Sequence, residues 1–136
     1  MGLSLKKRHI KIMLTMMLML SFIYNPFTTE GSEQYNFVNQ SGSTMSLSID
    51  KSGIIKGQYI TALGCGIGKT RPLTGWRNGK AIIFSVNFEE CESITSWVGH
   101  SDDLSEIETI WTLVKGNNDW NMKLTGISHF KRTKTE

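Results

Sequence analysis

Three short stretches of this 136-residue chain place hydroxyl and aromatic side chains at alternate positions. Tyr59 and Thr61 share one parity, as do Ser93, Thr95 and Trp97, and as do Thr109, Trp111 and Leu113. If these stretches are strands, alternate side chains point to one face. A concave face that mixes hydroxyls with indoles suits a small ligand that is partly apolar and partly hydrogen-bonding. The same spacing is equally compatible with tryptophans as ordinary core and hydroxyls turned to solvent. Periodicity alone leaves both open.

Other constellations are weaker. Gly68-Lys69-Thr70 resembles the end of a phosphate-binding loop, but Leu63 stands where that motif needs glycine, and Arg71-Pro72 opposes the helix that must follow. Asp102, Asp103, Glu106 and Glu108 could serve as paired carboxylates, yet they lie in or beside a polar stretch and read as solvated surface. Cys65, Cys91, His100 and His129 lack the close ligand pairs of a zinc site, so no metal is expected. No nucleophile is spaced with a base, and no catalytic residue is assigned.

The elements that must carry these residues are strands. Met45, Leu47 and Ile49 alternate with Thr44, Ser46 and Ser48, as one buried face requires. Seven further strand-like runs are Tyr35 to Gln40, Ile54 to Ala62, Leu73 to Arg77, Lys80 to Phe88, Ser93 to Ser101, Ile107 to Val114 and Asn121 to Lys131. Short turn sequences join them: Ser41-Gly42, Asp50 to Gly53, Asn78-Gly79 and Gly116 to Asp119. Asn-Gly between two such runs signals a tight hairpin, because both residues tolerate positive φ. Only Leu63 to Arg71 reads as a longer loop. Eight short sequential strands imply an all-β fold, an eight-stranded antiparallel up-and-down barrel, with a β-sandwich as the competitor.

Where the charge sits decides what it means. The chain carries 15 Lys plus Arg against 12 Asp plus Glu, a formal +3. Four of those cations, Lys6, Lys7, Arg8 and Lys11, precede the 13-residue apolar stretch Ile12 to Tyr24. That is the pattern of a secretory signal peptide, too short for a bilayer span of about 20 residues. Residues 1–31 are therefore read as leader, with an approximate cleavage site, and residues 32–136 as the domain. The leader holds those four cations and one anion, Glu30, so the mature chain is formally neutral. No nucleic-acid partner and no membrane contact after leader removal are expected, and localisation is secreted or periplasmic. An oxidising compartment favours a disulfide between Cys65 and Cys91, although two buried free thiols stay possible at this point. Closing that 26-position loop would stabilise the fold by roughly 3–4 kcal/mol in the chain-entropy model.

From Phe37 to Arg132 the chain resembles the avidin/streptavidin family of biotin-binding barrels. The matching pieces are Asn39 to Ser43, Gly57 to Ala62, Pro72 to Gly75, Phe84 to Phe88, Ser93 to Gly99, Thr109 to Trp111, and Trp120 with Gly126 to Phe130. Each is weak alone, but their order and spacing match the family. The resemblance implies a non-catalytic protein with biotin as ligand and no cofactor. It implies that Asn39, Ser43 and Tyr59 converge on the ureido oxygen and that Thr61 accepts a ureido N–H. Thr95 would lie near the ring sulfur and Ser93 near the carboxylate, with Phe88, Trp97, Trp111 and Trp120 as an aromatic box. A carrier of a different small amphipathic ligand on the same barrel is the alternative.

Three departures qualify the match. Phe88 and Phe37 stand where most relatives have tryptophan, and Ser128 replaces the Asp or Asn that accepts the second ureido N–H. A shorter, uncharged acceptor and a smaller box imply weaker binding than in the best-known relatives. Cys65 and Cys91 match a dimeric subset of bacterial avidins in which such cysteines are linked. Trp120, however, matches a residue that tetrameric members insert into a neighbouring subunit. A homodimer is favoured, with a homotetramer close behind.

Overall fold

The computed structural model describes residues 32–117 and 123–134. The leader reading and Trp120 lie outside the described residues. Eight strands close into a barrel: β1 (Gln34–Asn39), β2 (Thr44–Ile49), β3 (Ile54–Ile60), β4 (Thr70–Asn78), β5 (Ala81–Phe88), β6 (Ser93–His100), β7 (Glu106–Lys115) and β8 (Lys123–Arg132). Each pairs antiparallel with the next, and β8 returns to β1 through Phe37–Arg132, Val38–Lys131 and Asn39–Phe130. Closure excludes the sandwich and leaves no free sheet edge in the ladder.

Alternation along the strands places the core. β4 reads Arg71, Leu73 and Gly75 inward with Pro72, Thr74 and Trp76 outward. Phe37, Leu47, Ile55, Leu73, Ile82, Phe84, Ile107 and Phe130 are almost fully buried. Phe84 stacks on Trp97 with ring centroids 5.3 Å apart, and Phe130 meets both rings edge-on. This packed half forms a floor, completed by Leu104 in the β6–β7 loop. Leu104 holds a positive φ of 63° yet buries its side chain, while its N–H donates to Ser101 Oγ at 3.1 Å. Apolar burial compensates a backbone conformation that Leu rarely adopts.

The boundaries differ from the expectation chiefly at β4, which starts at Thr70 rather than Leu73. Arg71 explains the extension, because its buried guanidinium ties the incoming loop and its backbone pairs with Tyr59 across the ladder. Because β3 ends at Ile60 rather than Ala62, the β3–β4 loop keeps the expected length but is shifted to residues 61–69. At the same end of the barrel a single 3-10 turn, Glu89–Cys91, joins β5 to β6.

Candidate ligand-binding site

The ends of β1, β3, β5 and β7 surround the mouth of a cavity of about 480 Å³. Along β7 the inward positions show its depth: Thr109 is buried, Trp111 and Leu113 are half-buried, and Lys115 is exposed. Ten side chains singled out in the sequence line this one space: Asn39, Ser43, Tyr59, Thr61, Phe88, Ser93, Thr95, Trp97, Trp111 and Ser128. Trp120 belongs to the residues not described. The hydroxyls of the three alternating stretches therefore turn inward, which resolves the choice that periodicity left open.

The deeper polar residues have their hydrogen-bonding roles assigned by neighbouring backbone. Asn39 sits at the end of β1, where the chain reverses through Gly42 at φ 85°. Its Oδ1 accepts the N–H groups of Ser41 at 3.0 Å and Ser43 at 2.9 Å, which leaves the Nδ2 group as a donor. Ser43 Oγ accepts the Ala62 N–H at 3.0 Å, so its own proton is available to donate. Thr61 has the opposite polarity: its hydroxyl donates to the Leu63 carbonyl at 2.7 Å, and its remaining lone pair can accept. Tyr59 lies between them, with burial raising its pKa and the Ser43 and Thr61 hydroxyls partly opposing that rise. Burial disfavours the phenolate, so the group remains a neutral donor.

Aromatic rings form the walls. Tyr59 meets Phe88 edge-on with centroids 6.2 Å apart and tilts against Trp97 at 4.9 Å. Trp111 lies over Gly126 of β8, where an added Cβ would come within 2.5 Å of the indole. A larger residue at Gly126 would push that wall into the cavity. The Trp97 indole N–H is buried without a partner among the described residues. Ser128 faces the cavity from β8, and its carbonyl already accepts from Thr109 Oγ1 at 2.9 Å.

A strap crosses one side of the mouth. Cys65 in the β3–β4 loop is disulfide-bonded to Cys91 at the 3-10 turn, with Cα atoms 6.0 Å apart. Arg71 reinforces the link by donating to the carbonyls of Gly66 and Lys69, each at 3.1 Å, and by pairing with Glu90. Its guanidinium also lies 4.6 Å from the centroid of Phe88, a cation–π contact that fixes the ring facing the ligand space. Gly66, at φ 73°, leaves room for the guanidinium, which a Cβ would displace.

The weaker constellations fall elsewhere. Thr70 begins a strand, not a helix, so the Gly68-Lys69-Thr70 segment lacks the architecture of a phosphate-binding loop. Asp102 is 68% exposed and paired with Lys80 at 2.9 Å, and that hydrogen bond holds its carboxyl below the usual range. His100 lies near Asp102, and His129 pairs with Glu106 at 3.1 Å, both away from the sulfurs. Leu63, Leu124 and Lys115 also line the cavity without having been singled out. Lys115 was visible as the next inward position after Thr109, Trp111 and Leu113, whereas Leu63 enters through loop geometry that carries no period.

Comparison with known proteins identifies the family to which this barrel belongs. The Avidin family model matches residues 28–133. Afifavidin from Afifella pfennigii is 34% identical over 100 residues, 68% of this chain, and the match spans 58% of that protein's length. The structure of a rhizavidin–biotin complex superposes with a TM-score of 0.68 at 34% identity, covering 80% of this chain and 99% of that one. Apo shwanavidin gives a TM-score of 0.67, again at 34% identity, covering 77% and 98%. With the closed barrel, the lined cavity and a family match over most of its length, the chain belongs to the avidin family.

Proposed function

We propose that the chain is an exported protein that holds biotin in the barrel interior and performs no reaction on it. Avidin family proteins are non-catalytic and need no cofactor for this. Biotin presents a neutral ureido head, an apolar fused ring and an anionic valerate tail. The observation that carries the reading is the polarity enforced on the deeper residues. Asn39 Nδ2, Ser43 Oγ and Tyr59 Oη are donors, while Thr61 Oγ1 is an acceptor. Three donors directed at one carbonyl oxygen polarise it, as in an oxyanion hole used for binding rather than turnover. Thr61 and Ser128 accept the two ureido N–H groups. Phe88, Trp97 and Trp111 enclose the rings, while Thr95 and Ser93 approach the sulfur and the tail. Ser128 and Phe88 make this binding weaker than an Asp or Asn and a Trp would.

The disulfide supports export, since such bonds persist in oxidising compartments. It also shortens the list of conformations the mouth loop must abandon on binding. The outer surface supports a homo-oligomer. Ile54, Trp76, Ile83, Val98, Ile110 and Ile127 are consecutive cross-strand partners from β3 to β8 and form an outward belt. A parallel row of Thr74, Ser85, Ser96, Thr112 and Thr125 lies beside it. Both rows are uncharged, so a second copy can meet this face about a two-fold axis without opposing like charges.

Titration calorimetry with biotin and thermal melting test the central reading. Ligand at 100 times Kd should raise stability by about 2.7 kcal/mol. Absence of heat and of a melting shift at high biotin concentration would overturn it.

A further inference from the structure

We propose that Lys115 reads the charge at the tail of the ligand, so that the site prefers a free carboxylic acid to the same molecule conjugated as an amide. This inference rests on the biotin reading and deepens it. Lys115 is the last inward position of β7, on the wall that carries Trp111 and Leu113. At about 3.3 Å per strand residue it stands roughly 13 Å from Trp111 along the chain. Its ladder partner is Ser93, which lines the same cavity from β6. Among the described lining residues Lys115 alone carries a charge; the others are apolar, hydroxyl or amide side chains.

That cation has no ion-pair partner among the described residues. Glu92, beside Ser93, meets this strand end through its backbone, where its carbonyl accepts the Gly116 N–H at 2.7 Å. Lys69, another cation at this end of the barrel, is near Glu90 at 3.6 Å. A lysine ammonium is a hydrated point charge on a flexible stem, suited to follow an anion at a partly solvated mouth. A ligand seated by its head against Asn39, Ser43 and Tyr59 would direct its tail toward this end of the cavity. An anionic tail would then find the Lys115 cation, which has no ion-pair partner among the described residues, beside the Ser93 hydroxyl, whereas an amide-linked tail would lose the charge interaction and retain the rest.

The test compares biotin with its uncharged methylamide, by calorimetry or competition, on the native chain, Lys115→Met and Lys115→Arg. The native chain should favour biotin by about three- to tenfold, the range of a partly exposed charge-assisted contact. That preference should shrink at 0.5 M salt, collapse toward unity in Lys115→Met and return in Lys115→Arg. Unaltered melting temperatures of the free variants establish that the barrel is intact. A native chain that does not distinguish the two ligands, or a preference undiminished in Lys115→Met, overturns the role of Lys115 while leaving biotin binding in place. If the native chain binds neither ligand, the biotin reading fails and this inference fails with it.

Discussion

Tyr59 concentrates the chemistry of the site in one hydroxyl. Burial raises its pKa above the ordinary value near 10, so the neutral donor is the favoured form in the folded protein. The sign follows: the contribution of the neutral phenol is complete below the unfolded pKa and disappears as pH rises through the higher folded value. Biotin affinity should therefore hold through neutral and mildly alkaline solution and decline only above about pH 10, as titrations from pH 7 to 11 would record. Tyr59→Phe should cost about 1–3 kcal/mol of binding by leaving the ureido oxygen short of a donor, measured by calorimetry. Affinity unchanged in that variant would place the ligand elsewhere. At Ser128 the direction reverses. Ser128→Asn supplies a longer acceptor from the same inward position and should tighten binding by about 1 kcal/mol. Weaker binding would show that the pocket has closed around serine.

At the scale of elements, the strap joins the β3–β4 loop to the 3-10 turn by two unlike means. The disulfide restricts the unfolded chain, and its loss through paired Cys65→Ser and Cys91→Ser should lower stability by roughly 3–4 kcal/mol. Biotin affinity should fall as well, because the loop must then be ordered on binding. The Arg71–Glu90 pair acts within the folded state. Arg71 is buried whereas Glu90 retains about a third of its exposure, so Glu90→Gln leaves a buried cation with less compensation. We expect a loss of about 1–3 kcal/mol, visible in urea unfolding. Because Arg71 also supports the Phe88 ring, biotin affinity in Glu90→Gln should weaken more than a remote surface change would cause. A barrel destabilised at the strap with unaltered binding would separate the two roles.

The barrel formed by the described residues is a closed ladder with an apolar outer face. Ile127 is 73% and Ile110 65% exposed, and they are direct partners across β7 and β8. Val98→Glu places a charge in the middle of this belt without touching the interior, since Val98 points outward between Ile83 and Ile110. Sedimentation should show the native chain as an oligomer and the variant shifted toward monomer, with the strand content unchanged by circular dichroism. A native chain that sediments as a monomer would remove the second copy from the account of this face.

Much of this was legible in the chain itself, for reasons that can be traced to particular residues. Strand positions followed from period-two alternation, and hairpins from turns such as Asn78-Gly79, because both are properties of local backbone geometry. The shared parity of Ser93, Thr95 and Trp97 was equally local. What alternation could not supply was which face is inside, since a strand is symmetric to an exchange of faces until another strand covers one of them. Closure through the β1–β8 pairing made that choice and brought Asn39 near Ser128's strand. Tertiary structure alone also revealed that Arg71 is buried beneath Phe88, that Leu63 reaches the cavity, and that six outward residues align as one belt. Those relations depend on strand register and on loops folding back over the mouth. Sequence thus determined the elements and their chemistry, and the geometry of closure decided which residues share a space.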